Sequence, residues 1–104
     1  MTAEDLAKRI KARQALLLLD VRSAAEFKSG HIPGTVHAPL TNLLKAAQAA
    51  SKNKKDLLVL ICEHGPRAQL GRVLLKWHGY KNLELLNGHM AQWRQSGRAM
   101  LKNQ

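Results

Sequence analysis

Apolar residues fall in short continuous runs, separated by segments of helical spacing. Residues 15–21 (ALLLLDV) and 57–62 (LLVLIC) are apolar on both faces. That is the pattern of strands buried in a parallel sheet. A third short run, 83–86 (LELL), has the same character. A short strand is expected around 35–37, after a turn at Pro33-Gly34 and before a stop at Pro39.

Between these runs the apolar period changes to that of helices. Thr2 caps a first helix, with Asp5 three residues on. Its inward residues are Leu6, Ile10 and Ala7, and it ends near Arg13. Ser23 caps a short helix that carries Glu26 and Phe27 and stops at Gly30. Thr41 or Asn42 opens a helix of Leu and Ala to about Ala50. A helix over 67–78 directs Leu70, Val73, Leu74 and Trp77 inward and closes at Gly79. Met90 and Trp93 lie on a last helix ending near Gly97. Trp77, Trp93 and Phe27 read as core, and Tyr80 as partly exposed. The tail RAMLKNQ is either frayed or docked. Strands alternating with helices predict an α/β fold, a parallel sheet with helices on both faces.

Composition adds limits. The chain has 104 residues, 45% of them hydrophobic, enough for one domain over 1–104 with its own core. A single cysteine excludes an internal disulfide. The polar N-terminus is neither a signal nor a transit peptide, and no apolar run is long enough to span a bilayer. A cytoplasmic location is expected. Seventeen Lys and Arg against seven acids give a net charge of +10, which favours anionic partners. The only tight cluster is Lys52, Lys54 and Lys55, read as a solvated loop first and a docking patch for an acidic partner second. The four aromatics do not interleave with the basic residues, so nucleic-acid binding is disfavoured.

The chemistry concentrates at CEHGPRA, residues 62–68. Ligands of open parallel sheets bind beyond the carboxyl ends of the strands, and Cys62 stands at such an end. Gly65 permits a tight turn. Pro66 opens the next helix, where a missing N–H costs nothing. The amides of Glu63, His64, Gly65, Arg67 and Ala68 can then converge on one point, aided by the positive end of the helix. Such a cradle stabilises a thiolate or a persulfide anion. A buried, inert strand cysteine is the competing reading, and the glycine turn, the arginine and the helix start weigh against it. Asp20 is read as a local cap or structural ion pair. Arg22 either lines the site mouth or pairs with Glu26. His31 takes a structural hydrogen-bonding role. His64 is a rim residue able to relay a proton, or a loop histidine without a role. The histidines and the cysteine show no metal-ligand spacing, and no cofactor is expected.

Three motifs in order resemble those of the rhodanese family of thiosulfate sulfurtransferases. They are LLLDVRSAAEFKSGHIPGTVHAPL, CEHGPRA and GYKNLELLNGHMAQW, and together they cover nearly the whole chain. The resemblance implies the rhodanese-like α/β fold, a three-layer, mostly parallel four- to five-stranded sheet with helices on both faces, and a ping-pong transfer through a Cys62 persulfide. Sulfane sulfur would come from thiosulfate or another persulfide donor and pass to cyanide or a biological thiophile. Arg67 would hold the sulfonate. Related phosphatases and arsenate reductases have one more residue between Cys and Arg, so the six-residue loop argues for sulfur. A non-catalytic interaction or regulatory module is the remaining alternative. Two departures stand out. His89 replaces the family's second glycine of the closing segment, and Glu63 puts a carboxylate beside the thiolate. The initial edge strand is reduced to Met1 and Thr2, which points to four good strands. The resemblance implies a small anionic sulfur donor, and the positive surface suggests an acidic protein as acceptor.

Overall fold

The computed structural model of the chain describes residues 1–102. The elements follow in the order α1 (Ala3–Lys11), β1 (Leu17–Asp20), α2 (Ala24–Ser29), β2 (Val36–His37), a 3₁₀ turn (Leu40–Asn42), α3 (Leu43–Ala50), β3 (Leu58–Ile61), α4 (Pro66–Trp77), β4 (Leu83–Leu85) and α5 (His89–Gln95). The four strands pair in parallel in the order β2-β1-β3-β4. Met1 extends the β4 side: its ammonium donates to the Leu85 carbonyl (3.0 Å), and its carbonyl accepts from the Asn87 amide (2.7 Å). Among the described residues, no helix is long and apolar enough to cross a membrane.

The buried strands feed two cores by their alternation. From β3 and the residue after it, Leu58, Leu60 and Cys62 pack with Leu19, Leu43, Ala47, Ala68 and Leu75, on the face of α3 and α4. Val59 and Ile61 pack with Leu6, Leu18, Met90 and Trp93, on the face of α1 and α5. A strand apolar on both faces therefore serves both layers, as the continuous runs predict. The caps at Thr2 and Ser23 form as expected. Thr2 Oγ1 accepts from the Asp5 amide, and Ser23 and Glu26 make a reciprocal capping box. The last helix is followed by a docked tail. Leu101 and His31 exchange two backbone hydrogen bonds, and the Trp93 indole donates to the Ala99 carbonyl. Asn103 and Gln104, the end of that tail, lie outside the described residues.

Three expectations are corrected. Helix α4 turns a different face to the core. Leu70, Val73 and Trp77 are 58%, 55% and 86% exposed, whereas Ala68, Gly71 and Leu75 are buried. Leu74 is half-buried at the edge of the core, as expected in direction. The reason is close packing. A Cβ on Gly71 would stand 2.8 Å from a Leu43 methyl, so small residues let α4 sit tight against α3. With apolar residues on two sides of α4, periodicity selects the larger stripe, and packing selects the smaller. Trp77 is consequently not a core residue. Tyr80, expected partly exposed, is buried at 2% exposure. Its hydroxyl meets Ser51 Oγ at 3.0 Å, and the Lys54 ammonium stands 4.3 Å from the ring centroid. Finally, the helix expected from Thr41 or Asn42 begins as a 3₁₀ turn and becomes α-helical at Leu43.

Candidate active site

Cys62 follows the last residue of β3 and is 1% exposed. The chain then turns through Glu63, His64 and Gly65 into α4. Gly65 has φ +127°, a conformation strained for any side chain, and a Cβ there would stand 3.3 Å from the His89 imidazole. Glycine is thus required on two counts. Pro66 occupies the first helical position. Burial pushes the Cys62 thiol pKa up, but hydrogen bonds from the amides of Gly65, Ala68, His64 and Arg67 outweigh it and hold the thiol below its usual value. These are four of the five amides that the sequence offers as donors, and their effect favours negative charge on the sulfur. His64 and Pro66 form the exposed outer edge of the loop.

Arg67 turns its guanidinium to Glu26 of α2, donating from both terminal nitrogens at 2.6 and 2.8 Å. This fork geometry is the strong form of the interaction. It lowers the Glu26 pKa to about 2 and raises that of Arg67, to which the nearby Cys62 also contributes. Arg67 therefore lies next to the sulfur with its charge already partly balanced.

The Arg22 alternatives resolve otherwise than expected, because Glu26 is taken by Arg67. The Arg22 guanidinium is fully buried and neither lines the mouth nor meets Glu26. It donates to Asp20 through Nε (3.0 and 3.1 Å) and a terminal nitrogen (2.8 Å), and to the Gly30 carbonyl (2.8 Å). Asp20, also buried, accepts the Arg22 amide at 3.0 Å, which is the structural ion pair expected of it. The other terminal nitrogen of Arg22 reaches Glu63 at 3.3 Å. Glu63 is held chiefly by Arg94 of α5, at 2.8 and 3.2 Å, and its pKa is lowered by that contact against a smaller opposing effect of burial. The carboxylate beside the cysteine is thus paired with two arginines. His31 stacks on Phe27 with ring centroids 3.8 Å apart and bonds the Phe27 carbonyl, a structural role as expected.

Helix α5 clamps the start of the loop. The amides of Met90 and Ala91 donate to the carbonyls of Cys62 and Glu63 (3.0 and 3.2 Å). The Cys62 amide in turn donates to His89 Nδ1 (3.1 Å). His89 is buried and has φ +48°, a left-handed conformation uncommon outside glycine. Its Nδ1 accepts, so its proton sits on Nε2, the nitrogen that faces Gly65. Burial, and secondarily the charge of His64, lowers its pKa. Glu26, Arg94 and His89 were not among the site residues read from the sequence. Only His89 left a signal there, as a bulky residue at a glycine position.

A stability test follows for His89. Replacing it by Ala leaves the buried Cys62 amide without its acceptor, a loss of about 1–3 kcal/mol. Asn tolerates the left-handed backbone and offers an oxygen, so His89→Asn is expected to lose less than Ala in urea denaturation. The folded state favours neutral His89. Its contribution is full above the unfolded value near 6.5 and falls away as pH drops through the lower folded value. The Asn variant should lack that part of the pH dependence.

Among the described residues, no three His, Cys, Asp or Glu side chains are grouped to hold a metal. The family model for the rhodanese-like domain matches residues 2–96. The thiosulfate sulfurtransferase GlpE of Pseudomonas savastanoi pv. phaseolicola is 35% identical over 81 residues, 78% of this chain and 74% of that protein. YrkF of Bacillus subtilis is 30% identical over 93 residues, 89% of this chain but 49% of its own length. The crystal structure of a thiosulfate sulfurtransferase from Pseudomonas aeruginosa superposes with a TM-score of 0.91 at 25% identity, covering 99% of this chain and 20% of that one. This chain thus spans about half of one relative and a fifth of another. A parallel sheet in this strand order, a six-residue Cys–Arg loop at the end of β3 and a match over nearly the whole length converge: the chain belongs to the rhodanese-like domain family.

Proposed function

We propose that residues 1–104 act as a single-domain sulfurtransferase that carries sulfur on Cys62. The observation that supports the reading is the place of Cys62 directly after β3, at the Gly65 turn into α4, where the loop amides hold its thiol pKa below the usual value and Arg67 lies beside it. Fixed donors aimed at one sulfur favour the thiolate before attack and the persulfide anion after it, without reorganisation. The Cys62 thiolate attacks the outer sulfur of thiosulfate. A new S–S bond forms to Cys62, the old S–S bond breaks, and its electron pair leaves with sulfite. A thiophile such as cyanide then takes the outer sulfur as thiocyanate, and the electron pair of the Cys62–sulfur bond returns to Cys62 as thiolate. No proton or redox partner is needed in either half.

Arg67 holds the sulfonate in this reading, through the part of its guanidinium not engaged by Glu26. Glu63, His64, Gly65, Pro66 and Ala68 shape the loop, Glu63 through its arginines and His64 at the entrance. The pairing of Glu63 with Arg94 and Arg22 removes the main electrostatic objection to an anionic donor. Steady-state kinetics with thiosulfate and cyanide test the assignment. Arg67→Ala is expected to raise the KM for thiosulfate about tenfold, the loss of one charge-assisted contact, and to change the cyanide half-reaction little. An unchanged KM would remove Arg67 from the donor site. The six-residue loop weighs against a phosphatase or arsenate reductase. A non-catalytic module gains support only if no sulfur donor loads Cys62.

A further inference from the structure

The large apolar stripe of α4 is not used by the fold. Leu70, Val73 and Trp77 project from the side opposite the buried Ala68, Gly71 and Leu75. A tryptophan 86% exposed on a well-formed helix is a large desolvation gain left unrealised in the free protein. The stripe does not stand alone. On one flank it continues through Leu74 into an open groove of about 520 Å³, lined also by Leu40, Leu43, Leu44 and Lys45. On the other flank lies a cleft of about 520 Å³ walled by Arg72, Lys76, Tyr80 and Lys81. The two clefts together are lined by Lys45, Arg72, Lys76 and Lys81 and by no Asp or Glu.

We infer that this band is the docking surface for an acidic amphipathic segment of a protein sulfur-transfer partner. Apolar side chains of the segment fill the groove along Leu40, Leu44 and Leu74 and cover Trp77, and its carboxylates face Arg72, Lys76 and Lys81. Charge selects the occupant: clefts lined by four cations and no acid attract an acidic segment and repel a second copy of this basic chain. Shape selects it further, because a concave groove suits a helix or strand rather than a flat bilayer. Position links the band to the chemistry. Helix α4 begins at the loop that cradles Cys62, and its twelve residues span only about 18 Å. A partner seated along α4 thus brings a cysteine thiolate to the sulfur: it attacks the outer sulfur of the Cys62 persulfide, a new S–S bond forms on the partner, and the Cys62–sulfur bond breaks with its electron pair returning to Cys62 as thiolate. The inference rests on the sulfur-transfer reading for the partner's role, and on the surface itself for binding.

The test uses the full chain and a synthetic amphipathic peptide with leucines at helical spacing, glutamates elsewhere and a terminal cysteine. Its control replaces every glutamate by lysine. The glutamate peptide is expected to shift the NMR amide signals of α3 and α4. Leu70→Ser/Trp77→Ser should weaken that binding at least about tenfold, since exposed aromatics are frequent hot spots, and should leave thiosulfate–cyanide turnover unchanged. Sulfur should pass from loaded Cys62 to the glutamate peptide at least about tenfold faster than to the lysine peptide. Equal binding of both peptides, no binding at millimolar peptide, self-association of the chain through α4, or preferential binding of the band to anionic vesicles would each overturn the inference. Binding by a chain that never loads sulfur would sink the functional reading and keep the surface. Turnover without binding would do the reverse.

Discussion

Cys62→Ser is expected to reduce sulfur transfer to the uncatalysed level, a loss of about a thousandfold or more. The hydroxyl is too weakly acidic to attack thiosulfate at neutral pH, and it cannot carry sulfur as a persulfide. Stability should change by less than about 1 kcal/mol. The serine oxygen is smaller but accepts hydrogen bonds from the same amides that surround the thiol, so no buried donor is stranded. Turnover assays with thiosulfate and cyanide, paired with urea denaturation, separate the two effects. A folded serine variant that retains turnover would exclude Cys62 as the sulfur carrier. There is no second cysteine to take its place.

Asp20→Ala is expected to produce the largest loss of stability of any single change near the site, about 3–5 kcal/mol. Asp20 and Arg22 are both fully buried, and the guanidinium makes three contacts to the carboxylate at 2.8–3.1 Å. Removing the carboxylate leaves a charge inside the protein with only the Gly30 carbonyl and the more distant Glu63 to answer it. Replacing both partners, Asp20→Leu with Arg22→Met, should recover much of the loss, because the penalty comes from the stranded charge more than from the missing attraction. Urea midpoints of the two single variants and the double variant provide the cycle. A loss below about 1 kcal/mol in Asp20→Ala would mean that Arg22 finds water or another partner.

The two predictions separate what the loop does from what holds it. Arg22 bridges the end of β1 to Glu63, Glu63 passes to Arg94, and α5 returns to Cys62 through His89 and backbone bonds. The active loop is thus tied to both neighbouring strands' connections. Arg67 and Glu26 tie its far end to α2.

The strands were readable because burial on both faces leaves an unbroken apolar run, and 57–62 has few other interpretations. The loop geometry was readable because Gly and Pro each impose a local conformation within a few residues of Cys62. The α4 face was not. Its inward side depends on Gly71 meeting Leu43 across the fold, and hydropathy ranks Leu70, Val73 and Trp77 above Ala68 and Gly71. The ion-pair partners were not readable either. Arg67–Glu26 and Glu63–Arg94 join residues 41 and 31 positions apart, and local spacing offered Arg22 as a nearer partner for Glu26. His89 lay between these cases. Its position was visible as a departure from glycine, but its bond to the Cys62 amide needed the path of α5.

Intact-protein mass spectrometry of the reduced chain, after incubation with thiosulfate and again after cyanide, tests the central claim most directly. The account predicts the gain of one sulfur on the wild-type chain, its loss on adding cyanide, and no gain in Cys62→Ser. A folded, reduced wild-type chain that takes up no sulfur from thiosulfate or from a persulfide donor would contradict it.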